Sequence, residues 1–269
     1  MIDLSSSTVL AEGKTKIIYS NPADPSTVYM LFKDDITAGD GVKHDILEGK
    51  AALDWQMNRD VFDLLDRAGI PTHYISSPEE RVSLVRKLDV KINLEVVSRC
   101  VAAGSIVKWG KIAEGTRLDP PLTQFHYKDD PLHDPMLDDA YIAYITESKG
   151  ATEYVEMRRI NEAVLLLLER AFAAAGVQLL DLKLEYGIVA GKVVVIDEIS
   201  GGSLRLWPYR TENPDLSKPN ILDELDPGGK LDKDIYRTGD SLDSVLRGFK
   251  AIVDITASFK DLPLDKLTS

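Results

Sequence analysis

The residues of this chain best suited to chemistry are two carboxylates in neighbouring strand-like runs, Glu185 and Asp197. They lie within Leu179–Gly187 and Lys192–Glu198, which a glycine-containing turn joins. Because side chains alternate between the two faces of a strand, Lys183 shares a face with Glu185. Mg²⁺ prefers oxygen ligands, and a lysine offsets phosphate charge, so this set suits a magnesium–triphosphate complex.

The length of the hairpin loop decides whether these carboxylates converge. A three-residue loop, Ala190-Gly191-Lys192, places Glu185 opposite Asp197, which is the arrangement we expect. A two-residue loop, Ala190-Gly191, pairs position 185 with 196 instead and turns Asp197 to the other face. A hairpin with a solvated charged face is the alternative interpretation of the whole segment.

Composition narrows the class of protein. The chain has 269 residues, 44% hydrophobic and 28% charged, which is ordinary for a soluble globular protein with one large or two small domains. We find no membrane-spanning run and no signal peptide, and the single cysteine, Cys100, fits a reducing cytosol. A net charge of −12 argues against nucleic-acid or membrane binding. We therefore expect a cytoplasmic protein, with homo-oligomerisation left open, while the net charge says little about a small-molecule substrate.

The hydrophobic pattern predicts an α+β fold with two lobes, a β-rich N-terminal lobe (1–95) and a C-terminal α+β lobe (96–269). The expected strands are Thr8–Ala11, Thr15–Tyr19, Val28–Phe32, Thr72–Ser76 and further strands within Arg81–Ser98. The expected helices are Lys50–Ala68, Thr152–Ala175 and Ser241–Phe259, the first two closed by Gly69 and Gly176. A stretch rich in Pro, Asn, Asp and Gly, Pro208–Lys230, predicts a long loop or insertion.

Several short segments carry groups that suit anions. Glu12–Lys16 combines a glycine with two lysines, although it lacks the spacing of a Walker A loop, and a plain basic hairpin is the commoner structure. Arg99–Ser105 leads through small residues into a helix-like run, which suits either a phosphate or close packing. Ser200–Trp207 offers Arg205 as an anion clamp or as a partner stacked on Trp207.

Two loops are less specific. Thr37–Gly41 is a polar loop that an ordinary turn explains. Tyr127–Met136 holds Lys128, His133 and Asp134 between prolines, where His133 is a base or simply a solvated loop residue.

Taken together and in order, these segments resemble the SAICAR synthetase family of purine biosynthesis from about residue 10 to 237. The motifs that carry the resemblance are Glu12–Lys16, Thr37–Gly41, Arg99 with Ala102–Ser105, Lys128 with His133–Met136, Asp181–Gly187, Asp197–Ser200, Arg205–Trp207 and Leu231–Asp234. Each motif is modest by itself, whereas eight in sequence order are specific.

The resemblance implies a two-lobed ATP-binding fold with its active site in the interlobe cleft. It implies an ATP-dependent ligase that joins carboxyaminoimidazole ribotide to L-aspartate through an acyl phosphate, with ATP and Mg²⁺ as cofactors. The residues it assigns are Gly13, Lys14, Thr15, Lys16 and Lys87 for the nucleotide, Glu185 and Asp197 for the metal, Lys128, Lys183 and Asp134 for catalysis, and Asp40, Arg99, Ser105, His133 and Arg205 for the substrate.

Four positions depart from the family's usual pattern. Gly201-Gly202 stand where Pro-Asp is usual, Cys100 stands for Asn, Trp109 for Arg and Pro208 for Asp. We expect these changes to fall around the substrate pocket. They motivate a second hypothesis, a paralogue that amidates another carboxylated heterocycle, for instance in nucleoside-antibiotic biosynthesis. A nucleotide-binding regulator without turnover is a third, which the retained acidic pair and Lys183 disfavour.

Overall fold

The structure, a computed structural model, describes residues 2, 4–38, 43–145, 153–226 and 228–268. It is an α+β fold with two antiparallel sheets and a separate hairpin. The first sheet has the order β1-β2-β3-β7-β6. Its strands are β1 (Val9–Glu12), β2 (Lys16–Ser20), β3 (Thr27–Phe32), β6 (Tyr74–Glu79) and β7 (Val82–Arg86), and the hairpin is β4 (Asp35–Ala38) with β5 (Lys43–Ile46).

The second sheet has the order β10-β9-β8-β11-β12, and β13 pairs with β11 beyond the end of β12. Its strands are β8 (Val90–Val101), β9 (Arg117–Tyr127), β10 (Met136–Leu137), β11 (Val177–Val189), β12 (Lys192–Ile196) and β13 (Leu204–Pro208). Side chains alternate between the two faces of β11. Leu180, Leu182 and Leu184 enter the core, whereas Asp181, Lys183 and Glu185 share the opposite face.

The helices pack on these sheets. They are α1 (Lys50–Arg67), α2 (Ser105–Gly110), α3 (Asp139–Ile145), α4 (Tyr154–Ala173), α5 (Asp234–Thr238), α6 (Leu242–Thr256) and α7 (Leu264–Thr268), with 3₁₀ turns at Leu4–Ser6, Asp130–Leu132, Leu222–Glu224 and Phe259–Asp261. Helix α4 covers β11 and β8, while α1 packs against both β3 and α6. No helix within the described ranges is long and apolar enough to cross a membrane.

The three long helices and the strands before residue 101 confirm the elements that the hydrophobic periodicity of the sequence predicts. Gly69 and Gly176 follow α1 and α4 with left-handed φ angles of 71° and 72°, which glycine adopts without a Cβ penalty. The predicted helix start at Thr152 lies outside the described residues.

The junction between the two sheets lies beside β12. Val195 N donates to Pro71 O and His73 N donates to Val195 O, at 3.0 and 2.9 Å, so the segment before β6 is hydrogen-bonded to the second sheet. The chain passes from one sheet to the other between residues 86 and 90. Strand β8 runs through the boundary that we predict at residue 95, and the division into two lobes remains a prediction.

The predicted loop at 208–230 is only partly irregular. Pro208 ends β13, Leu222–Glu224 forms a 3₁₀ turn, and Asn220 and Leu225 form isolated bridges with Thr116 and Tyr209. Ile221 and Leu225 are buried, so this segment packs on the second sheet.

Candidate functional site

A cavity of about 1020 Å³ brings the two sheets' polar residues together. Residues 13–16 of the first sheet line the cavity, together with residues 36, 37 and 43 of the β4–β5 hairpin and Lys50 of α1. The second sheet contributes the polar face of β8 and β11, and the residues after β12 complete the wall. Segments far apart in sequence therefore converge on one site.

Glu185 and Asp197 both line this cavity, although the predicted hairpin register is wrong. The loop is the two-residue Ala190-Gly191, Val189 pairs with Lys192, and Glu185 pairs with Ile196. Both loop residues have positive φ, 50° and 73°, as a tight two-residue hairpin turn requires. Asp197 nevertheless faces the cavity, because its own φ of 66° turns the chain just after β12 ends.

Asp197 holds the lysine of the Glu12–Lys16 segment. Lys16 Nζ lies 3.0 Å from Asp197 Oδ1 and 3.0 Å from Glu198 Oε1. Burial lowers the pKa of Lys16, but the two carboxylates outweigh burial and hold that pKa above its ordinary value. Burial raises the pKa of Asp197, and Lys16 and Lys128 reverse that effect and hold it well below the usual range. Both groups are therefore charged at neutral pH.

A second cluster of lysines and carboxylates lies across β8, β9 and β11. Lys128 donates to Glu185 Oε1 and lies 3.5 Å from Glu95 Oε1, while Lys183 donates to the same Glu95 oxygen at 2.6 Å. Burial lowers the pKa of Lys128, and the Glu185 carboxylate more than compensates, so that the pKa rises to about 12. Lys91 Nζ lies 3.1 Å from Glu185 Oε2.

The carboxylates of this wall retain free coordination capacity. Glu185 Oε2 and Glu198 Oε2 are buried and accept no hydrogen bond from the residues that the structure describes, and the contact of Lys91 with Glu185 is an ion pair without hydrogen-bond geometry. Within the described ranges, no three His, Cys, Asp or Glu side chains form a metal site alone. The donor set therefore fits a hard cation that takes one or two carboxylates and completes its shell with water and phosphate oxygens, as Mg²⁺ does.

An arginine–aspartate cluster forms the other end of the cavity. Arg99 Nη1 lies 2.5 Å from Asp181 Oδ2, which also accepts from Arg205. Arg205 Nε donates to Asp234 Oδ2 at 2.6 Å, and Arg99 Nη2 donates to Ser105 Oγ at 3.4 Å. Two guanidinium groups on one cavity wall suit a phosphate, because each offers a planar fork of donors.

The small-residue turn before α2 packs directly on this cluster. Gly104 has φ 66°, and a Cβ there would lie 2.9 Å from Arg205 Nη2. The close-packing interpretation of the Ala102–Ser105 run is therefore correct for Gly104, while Ser105 contributes its hydroxyl to Arg99.

The sequence-predicted site residues fall into three groups. Those that line the cavity are Gly13, Lys14, Thr15, Lys16, Arg99, Lys128, Asp134, Lys183, Glu185, Asp197 and Arg205. Three do not line it: Ser105 is hydrogen-bonded to Arg99, Lys87 is exposed after β7, and His133 is exposed in a left-handed turn with φ 58°. Asp40 lies outside the described residues.

The structure adds cavity residues that the sequence reasoning did not select as site residues. They are Lys43, Lys50, Lys91, Glu95, Asp181, Glu198, Lys233 and Arg237. Lys50 and Asp54 form a buried i,i+4 ion pair at 2.5 Å at the start of α1. Charged residues at positions 50 and 54, on the buried face of α1, were the available signal, since such groups are rarely buried without a role or a partner.

The cavity is thus lined by lysines and arginines that suit anionic groups, beside carboxylates whose chemistry fits a divalent cation. The family model for SAICAR synthetase matches residues 9–252. The phosphoribosylaminoimidazole-succinocarboxamide synthase of Herpetosiphon aurantiacus is 42% identical over 263 residues, which cover 94% of this chain and 98% of the relative.

Solved structures give the same result. A SAICAR synthetase in complex with ADP superposes with a TM-score of 0.77 at 34% identity, covering 92% of this chain and 97% of that one. The phosphoribosylaminoimidazole-succinocarboxamide synthase of Ehrlichia chaffeensis gives 0.78 at 31% identity, covering 95% and 100%. This chain belongs to the SAICAR synthetase family.

The expectation that all four departures surround the substrate pocket is wrong. Cys100 is fully buried and its thiol donates to Leu179 O at 3.0 Å, on the core side of β8. Trp109 is 59% exposed, and neither it nor Pro208 lines the cavity. Of the four changes, only the Gly201-Gly202 pair reaches the cavity, through Gly202.

Proposed function

We propose that this chain is an ATP-dependent carbon–nitrogen ligase that joins carboxyaminoimidazole ribotide to L-aspartate and releases SAICAR, ADP and phosphate. The observation that carries the proposal is the single cavity in which lysine–carboxylate pairs and the arginine–aspartate cluster meet, in a chain of this family. The activity for which the relatives are named and the ADP complex of a similar protein support it.

The nucleotide belongs at the first-sheet side of the cavity. Residues 13–16 follow β1 there, and Lys16 and Lys14 supply positive charge for phosphates. Glu185 and Asp197 would hold Mg²⁺, which would neutralise charge on the phosphates. Lys87 is exposed and outside the cavity wall, so a contact of Lys87 with the nucleotide stays a prediction.

The reaction requires activation of a carboxylate, which is a poor electrophile. An oxygen of the ribotide carboxylate attacks the γ-phosphorus, the bond to the bridging oxygen breaks, and ADP leaves. Two anions must approach each other in this step, and Lys128 and Lys183 line the cavity where their charges reduce the repulsion. The protein's contribution is therefore mainly positioning and charge neutralisation.

The ribotide phosphate belongs at the arginine–aspartate cluster. Arg99 and Arg205 share Asp181 as a counter-ion, and Ser105 is hydrogen-bonded to Arg99. An incoming phosphate would bind donors that Asp181 and Asp234 already hold in place, which limits the entropy lost on binding. Roles of Asp40 and His133 in substrate binding stay predictions.

In the second step the neutral amine of aspartate attacks the acyl carbon, and phosphate leaves with the carboxylate oxygen. The amine must lose a proton, and Asp134 lines the cavity with a carboxylate that could accept it. Asp134 Oδ1 accepts from Asp129 N at 2.8 Å, so the loop fixes the orientation of this side chain. A cytoplasmic location and a homo-oligomeric state are predictions that accompany this function.

Phosphate release by the purified protein tests the proposal. Mg²⁺-ATP, the ribotide and L-aspartate are supplied together, and each is then omitted in turn. We expect turnover only with the complete set. Absence of turnover from a folded protein that binds Mg²⁺-ATP would overturn the assignment and favour a ligase for another carboxylated heterocycle or amine.

A further inference from the structure

Lys233 differs from four other lysines around the cavity in having no carboxylate partner among the described residues. Lys16, Lys50, Lys128 and Lys183 each lie within 3.0 Å of a carboxylate oxygen. Lys233 also lines the cavity, yet it forms no ion pair with any carboxylate in the described part of the chain. An ammonium group in that position is available for an anion from solution.

The backbone around Lys233 is fixed on both sides. Asp232 is 1% exposed and accepts from Leu206 N at 2.6 Å and from Asp234 N at 2.7 Å. Lys233 N donates to Gly201 O at 3.1 Å. These bonds attach the start of α5 to β13 and to the turn at Gly201, so the lysine is presented to the cavity by a rigid support.

The surroundings of Lys233 are cationic. Burial first, and then the charges of Arg237, Lys50 and Lys183, lower the pKa of Lys233 to about 8 against the opposing charge of Glu198. These groups belong to α5, α1, β11 and the segment after β12. A bound anion would relieve this repulsion and favour the charged ammonium.

The other anions of the reaction already have binding groups: residues 13–16 and the acidic pair for Mg²⁺-ATP, and the arginine–aspartate cluster for the ribotide phosphate. We propose that Lys233 binds a carboxylate of the amino-acid amine donor. This inference rests on the proposed ligase function and identifies the part of the same cavity that recognises the donor. An aspartate has two carboxylates, so its charge complements the cationic surroundings of Lys233.

The test compares Lys233→Met with wild type, and with Lys250→Met on the exposed face of α6 as the matched control. We expect the KM for L-aspartate to rise by roughly tenfold or more in Lys233→Met, as loss of a charged hydrogen bond predicts. The KM values for ATP and ribotide and the kcat at saturating aspartate should stay near wild type. Lys233→Arg should recover part of the affinity, and Lys250→Met should change nothing.

Hydroxylamine separates donor recognition from carboxylate activation, because it is a nucleophile without a carboxylate. We expect hydroxylamine-dependent phosphate release to be the same in Lys233→Met and wild type. A normal aspartate KM in the variant would overturn the role of Lys233, as would a loss confined to kcat, which indicates a proton-transfer role. Inactivity of wild type with both nucleophiles would instead overturn the ligase function itself.

Discussion

At the scale of single residues, Asp197 lines the cavity although the hairpin register predicted for it is wrong. The acidic pair was evident in the sequence because carboxylates at the end of a Val- and Ile-rich run are unusual. The register was not, because it depends on left-handed backbone at Ala190 and Asp197, two non-glycine residues. A non-glycine residue with positive φ beside a proposed metal site is the kind of local strain that functional geometry tends to retain.

Asp197→Asn should abolish Mg²⁺-dependent turnover while leaving the fold intact. The amide has the same volume but no charge, so it weakens a metal ligand and leaves Lys16 with only Glu198. We expect a fall in kcat/KM of about a hundredfold or more, measured by phosphate release. Asp254→Asn, on the exposed face of α6, is the control. Wild-type activity in Asp197→Asn would show that Asp197 is not a metal ligand.

At the scale of elements, the turn at residues 200–203 contains two adjacent glycines with different surroundings. Gly201 packs against α6, and Gly202 lines the cavity. A Cβ at Gly201 would lie 2.8 Å from a ring carbon of buried Phe249, on α6. A Cβ at Gly202 would meet only Ser200 Oγ, at 3.6 Å, and Gly202 lines the cavity. The absence of a side chain thus serves helix packing at one position and leaves space in the cavity at the next.

Gly201→Ala should therefore destabilise the protein by about 1–3 kcal/mol through overpacking against Phe249. Gly202→Ala should change the free energy of unfolding by less than about 0.5 kcal/mol, as at an uncrowded site. Urea denaturation of both variants measures the difference. Equal stability of the two variants would show that α6 shifts to accommodate the added methyl group.

The elements themselves were largely predictable. Amphipathic periodicity with Gly69 and Gly176 as terminators located two helices to within two residues at their described ends. The convergence of Lys50, Glu95 and Lys233 on one cavity was not predictable, because it depends on how α1, β8 and α5 pack, and no local pattern encodes that. The same limit applies to Cys100 and Trp109, whose departure from the family pattern gave no indication that they face away from the cavity.

At the scale of the whole molecule, His73 lies where the two sheets join. It is 4% exposed, and its Nε2 lies 3.3 Å from Asp197 O, within the segment bonded to Val195. Burial lowers the pKa of His73 to about 4, which outweighs the attraction of Asp197. The folded protein therefore favours the neutral imidazole.

The sign of the resulting pH dependence follows from that depressed pKa. Above about pH 6.5 His73 is neutral in both states; between 6.5 and 4 only the unfolded chain takes up the proton, which destabilises the fold by up to about 3 kcal/mol. The difference in unfolding free energy between wild type and His73→Gln should fall by that amount over this window. Denaturation at pH 7, 5.5 and 4 measures it, and a pH-independent difference would contradict the neutral, buried state of His73.

The central claim is that this cavity activates a carboxylate by phosphorylation before the amine attacks. The most direct measurement supplies ribotide labelled with ¹⁸O in its carboxylate, together with Mg²⁺-ATP and L-aspartate, and analyses the released phosphate by mass spectrometry. We expect one ¹⁸O atom in each phosphate, carried over when the acyl phosphate is cleaved. Unlabelled phosphate formed alongside the amide product would contradict it.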